Sequence, residues 1–237
     1  MTSHPQALPH TEIKEIFPDI FFVSGTRVWN FNDLRWQFSR NMIVVREDGK
    51  LNLINTVRLD DAGLAALDKL GKVENVVKIG SLHGVDDAFY ADTYGAKVWA
   101  MPGMPLDNIS IDNELTIGGK LPVSGASLFA FETTNLPESI LLLERDGGIA
   151  IACDALQNWN GPDEFFSDES KEVMGGMGFF QKANVGPVWM QANEPEAADF
   201  KRLKTLKFEH ALCGHGEPLI GNASELYGAT FKRLFDV

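Results

Sequence analysis

Short apolar runs separated by turn signals dominate the first half of the chain. Asp19-Ile-Phe-Phe-Val23 reads as a strand ended by Ser24 and Gly25. Met42-Ile-Val-Val45 and Leu51-Asn-Leu-Ile54 flank Glu47-Asp-Gly49, where Asp-Gly supplies the positive φ of a tight hairpin turn. The period then changes. Leu64, Leu67 and Leu70 recur near helical spacing, with Asp60 able to cap the free amides of the first turn and Gly71 able to end the helix. Val73 to Ile79 is β-branched and apolar, Asp86 to Tyr94 is compatible with a helix, and Ala96-Lys-Val-Trp-Ala100 is again a strand. This succession makes a βαβ unit.

The pattern repeats in the second half. Leu128 to Phe131, Ile140 to Leu143 and Ile149 to Ala152 are strands, with a turn at Asp146-Gly147-Gly148. Residues 161–190, rich in Gly, Phe and Met, read as an irregular, partly helical insert over a pocket. A helix (Glu194 to Leu206), a strand (Phe208 to Cys213) and a final helix (Ala223 to Phe235) close the chain. The sum is two β-then-α halves in one α/β domain over residues 17–237, preceded by a flexible tail at 1–16 that holds His4 and His10.

Composition narrows the function. The 237 residues carry 21 Lys and Arg against 33 Asp and Glu, a net charge of −12. That argues against a nucleic-acid partner, which needs clustered cations. No run of 18 apolar residues is present, so no membrane span is expected. Two cysteines cannot staple a chain of this size, and Cys153 and Cys213 read as reduced, buried thiols of a cytoplasmic protein. The expected partner is a small-molecule substrate or ligand, with self-association into a homo-oligomer left open.

Three stretches place ligand-capable groups just past an apolar strand, where α/β folds keep their sites. They are Gly80-Ser-Leu-His-Gly-Val-Asp-Asp87, the end of Gly147 to Asp154, and Cys213-Gly-His-Gly216. If they meet, they offer His83, Asp87, Asp154 and His215 to one centre, a mixture of imidazole and carboxylate that suits Zn, Fe or Mn. Asp86 and Asp87 are equally compatible with helix capping, and Asp154 with a turn. Cys153, adjacent to Asp154 on a strand, points to the opposite face and belongs to the core. Cys213 shares parity with His215. Trp29, Phe31, Trp36 and Phe38, placed before the first strand pair, and Trp159, Phe165, Phe166, Phe179, Phe180 and Trp189 suggest an apolar cleft wall under a Met/Gly lid.

The order of these pieces resembles the metallo-β-lactamase fold superfamily from about Phe17 to Phe235. The likeness rests on the strand pair at 42–55, the helix, strand and loop at 60–94, Ala96-Lys-Val-Trp-Ala100, and the hairpin at 128–154 ending in Asp154. It is most specific in the stretch from Asp199 to Pro218, which contains Phe208-Glu-His-Ala-Leu-Cys-Gly-His-Gly216. The resemblance implies an αββα four-layer sandwich with its site along one edge. The family's first motif is HxHxDH. With its first His on His83, the second falls on Val85, the Asp on Asp87 and the last His on Ala88; a later His falls near Asn135, before Pro137-Glu-Ser139. One metal position then keeps only His83, and the other keeps Asp87, Asp154 and His215. Three protein ligands plus water is the usual count for a catalytic zinc.

The resulting expectation is a metal-dependent hydrolase, mononuclear at best. Asp87, Asp154 and His215 would be the ligands. Asp154 and His83 would be catalytic, and water would attack an ester, amide or thioester. Trp29, Phe31, Asn135, Trp159, Phe179 and Phe180 would line the substrate cleft. The alternative is a non-catalytic binding member of the same fold that holds no metal. A third reading pairs Cys213 with His215 as thiol and imidazole in an unrelated α/β enzyme.

Overall fold

The computed structural model describes residues 4–31 and 33–237, with residue 31 described in its backbone alone. Among the described residues the order is β1 (Lys14–Phe17), β2 (Ile20–Phe31), β3 (Leu34–Glu47), β4 (Lys50–Ile54), α1 (Asp61–Leu70), β5 (Lys72–Lys78), α2 (Asp87–Tyr94), β6 (Lys97–Ala100) and β7 (Asn113–Glu114). Then come β8 (Ala126–Ala130), β9 (Ser139–Leu143), β10 (Ile149–Ala152), β11 (Leu156–Gln157), α3 (Asp168–Gly176), β12 (Asn184–Val185), α4 (Pro187–Asn193), α5 (Ala197–Leu203), β13 (His210–Cys213) and α6 (Ala223–Phe235).

Alternation along the strands sorts side chains into layers. The first sheet runs β1-β2-β3-β4-β5-β6-β7 and the second β13-β10-β9-β8. Ile20, Phe22, Ile43, Val45, Ile54 and Val77 of the first meet Leu141, Leu143, Ile149, Ile151 and Leu212 of the second. The opposite parity of the first sheet, Phe21, Val23, Met42, Val44, Leu53 and Val76, packs on Leu67 of α1 and on Phe89 and Tyr90 of α2. The outer face of the second sheet packs Phe129, Ile140, Ala150 and Ala211 on Trp189, Phe200, Leu203, Tyr227 and Phe231 of α4, α5 and α6. The result is a mixed α/β sandwich with helix, sheet, sheet and helix layers. Helix α1 is capped as its sequence suggests, Asp60 accepting from Gly63 N at 2.8 Å, and it buries Leu67 alone. A Leu67→Ala change removes that contact at a cost of about 2–5 kcal/mol.

Three expectations change. Trp29, Phe31, Trp36 and Phe38 do not precede the first strand pair. They lie on its outer half, a ribbon paired without a break from Ile20↔Val45 to Phe31↔Leu34. Runs of apolar residues reveal strands buried on both faces, whereas this ribbon alternates Trp36 and Phe38 with Arg35 and Gln37 because only one face is covered. The helix expected from Glu194 starts at Ala197 instead: Glu194 ends α4 in the left-handed region (φ 46°) just before Pro195. Within the segment read as a tail, Thr11 N donates to Ser24 O and Thr26 N to Pro9 O, and the His10 ring accepts from Asp60 N. No helix among the described residues is long and apolar enough to cross a membrane.

Candidate metal centre and its cavity

Parallel pairing of β4 with β5 and of β10 with β13 brings their carboxyl ends to one edge of the sandwich. The loops after β5, β10 and β13 carry His83, Asp154 and His215. The glycines around His215 have separate reasons. Gly216 sits at φ 83°, and a side chain there would strike the Asn158 carbonyl and lie 2.8 Å from Trp159 N. A side chain at Gly214 would press on His83 Cε1 at 3.1 Å. Asn41 of β3 fixes the loop: its Nδ2 donates to Cys213 O (3.0 Å) and Gly216 O (2.7 Å), and its N to Gly214 O (2.8 Å).

His83 Nε2 lies 3.0 Å from His215 Nε2 and 3.4 Å from Asp154 Oδ2; His215 Nε2 lies 3.1 Å from Asp154 Oδ1. His215 Nδ1 faces the Ser39 carbonyl at 2.9 Å and must donate to it. That leaves Nε2 directed at a carboxylate oxygen. Two electron pairs converge there, so a cation, proton or metal, has to lie between them. Burial lowers His83 from 6.5 to about 3, with Asp154 opposing and His215, Arg40 and Lys78 reinforcing, so its ring is neutral, as a ligand requires. Burial alone would raise the Asp154 carboxyl. The two imidazoles and the Cys153 thiol outweigh it and hold Asp154 ionised, below the usual carboxylate range.

The donors suit a single ion. The three separations, 3.0, 3.1 and 3.4 Å, sit near the tetrahedral edge of about 3.3 Å that bonds of 2.0–2.1 Å give. Ligand atoms of His83, Cys153 and Asp154 also lie within 4.8 Å of one another. Burial, then the carboxylates of Asp154 and Glu138, push the Cys153 thiol well up, so it serves as a protonated donor to Asp154 Oδ2 at 3.2 Å.

Asp87 is not brought to this cluster. It opens α2, is buried, and accepts from Thr56 Oγ1 at 2.5 Å beside the charge of Lys78. Asp86 occupies the N-cap position without a capping bond; its carboxylate takes Arg40 and the Arg58 amide instead. Asn135 lies outside the cavity, its Nδ2 on Ala192 O and Glu194 Oε2. Cys213 faces the other core, 3.3 Å from Tyr227 OH, and burial pushes it up to about 12, which removes the thiol–imidazole pair with His215.

Trp29, Trp159 and Phe179 do line a cavity of ≈ 740 Å³ over the centre, with Trp36, Phe38 and Trp189. The Trp159 ring stands 5.1 Å from that of His215. Phe180 packs behind this wall, 6.2 Å from Trp159 and 5.5 Å from Phe166, and the Phe31 side chain lies outside the described residues.

Several participants escape a reading of the sequence. Cys153 lies in the core between the sheets as expected, but it follows the end of β10 at Ala152, and its thiol also reaches the Asp154 carboxylate. Glu138 is buried beneath the centre, and its Oε1 accepts from Asp154 N (3.1 Å) and Ala155 N (3.0 Å). Burial and then the Asp154 charge raise its carboxyl well above the usual range. Lys78 is buried with its ammonium on the His83 carbonyl. The available signal for Lys78 was a charge inside an apolar run, Val76-Val-Lys-Ile79.

No family model matches the chain, and no curated protein matches its sequence. Solved structures do. The DIM-1 metallo-β-lactamase exposed to ceftazidime is 13% identical, with a TM-score of 0.62 over 96% of this chain and 99% of that one. TMB-1 is 14% identical, with a TM-score of 0.59 over 95% and 99%. The metallo-β-lactamase FIM-1 from Pseudomonas aeruginosa, in its mono-zinc form, is 12% identical, with a TM-score of 0.57 over 98% of each chain. At these identities the likeness establishes architecture. The chain has the metallo-β-lactamase fold over nearly its whole length.

Proposed function

We propose that the protein is a metal-dependent hydrolase with a mononuclear centre on His83, Asp154 and His215, acting on an ester, amide or thioester of a partly apolar small molecule. The observation that carries this reading is the convergence of the His215 Nε2 lone pair and the Asp154 carboxylate on one point, 3.0–3.4 Å from the third donor. A divalent zinc, iron or manganese ion bound there supplies Lewis acidity and an activated water. The chain's own residues do the rest. Ser39 fixes the tautomer of His215, as a carbonyl partner does for a ligating imidazole. Glu138 fixes the backbone of Asp154. His83 takes the ligand position expected of Asp87. Trp36, Trp159 and Phe179 exclude bulk water and hold the apolar part of the substrate.

A second reading has its own support: Val85, Ala88 and Asn135 offer no imidazole, Asp87 is engaged elsewhere, and a proton satisfies the same pair of acceptors. The protein is then a binding module on this scaffold. Thermal unfolding with and without EDTA and added metal separates the two. A ligand of the folded state raises Tm with concentration, by roughly 2.7 kcal/mol of stability at 100 times Kd. The hydrolase reading expects that rise in the native chain, its loss in Asp154→Ala, and metal-dependent cleavage of a p-nitrophenyl ester. Unfolding that is indifferent to chelator and metal, with no cleavage, leaves the binding module.

A further inference from the structure

The face of the β2–β3 ribbon turned to the cavity is aromatic and basic. Trp29 pairs with Trp36, Arg27 with Phe38, and Gly25 with Arg40, and Arg27, Trp29, Trp36, Phe38 and Arg40 all line the cavity. In a chain with 33 acidic and 21 basic residues, the charged lining here is two arginines and one carboxylate beside the two imidazoles. That carboxylate, Asp154, is already engaged by His83 and His215.

The two arginines differ in how their charge is met. Arg40 is buried, paired with Asp86 and donating to Thr56 O. Arg27, partly buried beside it, has no hydrogen bond or ion pair among the described residues. Only the more distant charges of Asp86 and Asp107 favour it, while burial and Arg40 pull its basicity down. A half-desolvated, unpaired guanidinium costs free energy unless something else answers its charge. It also stands against a second, smaller void of ≈ 50 Å³ walled by Pro5, Gln6 and Leu8, so the N-terminal segment closes one side of it.

We propose that Arg27 is the anion anchor of the cavity, and that the molecule bound there is an amphiphilic anion. Its carboxylate or phosphate head lies on Arg27, and its apolar body lies along Trp29, Trp36 and Phe38 toward the centre. Arg donates in a planar fork that matches both head groups, and such bonds are about twice as strong as neutral ones. This specifies the substrate class of the proposed site. It rests on the cavity, so it can be tested without metal.

Four of the five tryptophans line the cavity, so their fluorescence reports occupancy. The full chain, treated with chelator, is titrated with 4-phenylbutyrate, 4-phenylbutyl phosphate and neutral 4-phenylbutanamide. At least one anion binds about tenfold more tightly than the amide, and the tighter of the two identifies the head group. Arg27→Gln erases that advantage and leaves amide binding within about twofold, and Arg27→Lys restores part of it. Arg35→Gln, the same charge change at an exposed site outside the lining, alters none of the three. The proposal is overturned if Arg27→Gln binds the anions like the native chain, if it loses the amide equally, or if Arg35→Gln reproduces its effect. Failure here with the metal-dependent Tm rise intact removes only the anion anchor. Loss of the rise with anion selectivity intact removes only the metal centre.

Discussion

His83 gives acid sensitivity a defined source. Its ring is buried against His215 and Asp154, and it protonates near 3 in the folded chain against 6.5 when exposed. Between those values the unfolded chain binds a proton that the folded chain does not, so stability falls as pH falls. For the chelator-treated protein this single group removes about 0.7 kcal/mol between pH 7 and 6, and about 2 kcal/mol in all by pH 5. Below about pH 3 both states are protonated and the loss stops growing. Urea unfolding at pH 7, 6 and 5 measures it directly, and His83→Gln, which keeps a polar side chain but cannot titrate, flattens the profile by that amount. A His83→Gln variant that loses as much stability as the native chain over this range refutes the assignment.

Other consequences follow from neighbouring contacts. Gly216→Ala places a side chain at φ 83° against Asn158, so it lowers stability by at least about 2 kcal/mol and displaces His215, read as a loss of the metal-dependent Tm rise. Asp199 accepts from Glu132 N, Thr133 N, Thr133 Oγ1 and Arg202 at 2.6–3.0 Å, tying the loop after β8 to α5. Asp199→Asn therefore costs about 3 kcal/mol in urea unfolding while metal content stays unchanged. Both thiols are fully buried and poorly ionised, so a disulfide reagent such as DTNB titrates neither in the native protein and both in denaturant.

The layers were readable from the chain because each rests on local periodicity. The buried strands at 42–45 and 149–152 are continuous apolar runs, the strand at 73–79 shows through its valines and isoleucine despite Glu74, Asn75 and Lys78, and the helix at 223–235 agrees with its pattern to the residue. The aromatic ribbon was harder: its alternation of Trp and Phe with Arg and Gln gives no run at all, so its length emerges only when the strand is paired. The site was legible as three loops, and the structure brings His83, Asp154 and His215 together. Spacing alone favoured Asp87 over His83 as a ligand. It could not register that Thr56, distant in sequence, and Lys78 on the preceding strand draw Asp87 away. Parity placed Cys153 in the core between the sheets, where it lies, but could not show that its thiol also reaches Asp154, because periodicity fails one residue beyond the end of a strand.

The central claim is that three donors share one cation. Crystals grown from zinc-dialysed protein and measured at the zinc absorption edge test it most directly. The account predicts a single anomalous peak about 2 Å from His83 Nε2, His215 Nε2 and an Asp154 oxygen, absent in Asp154→Ala. No peak at that point in the native crystal, or one held by Asp87 instead, contradicts it.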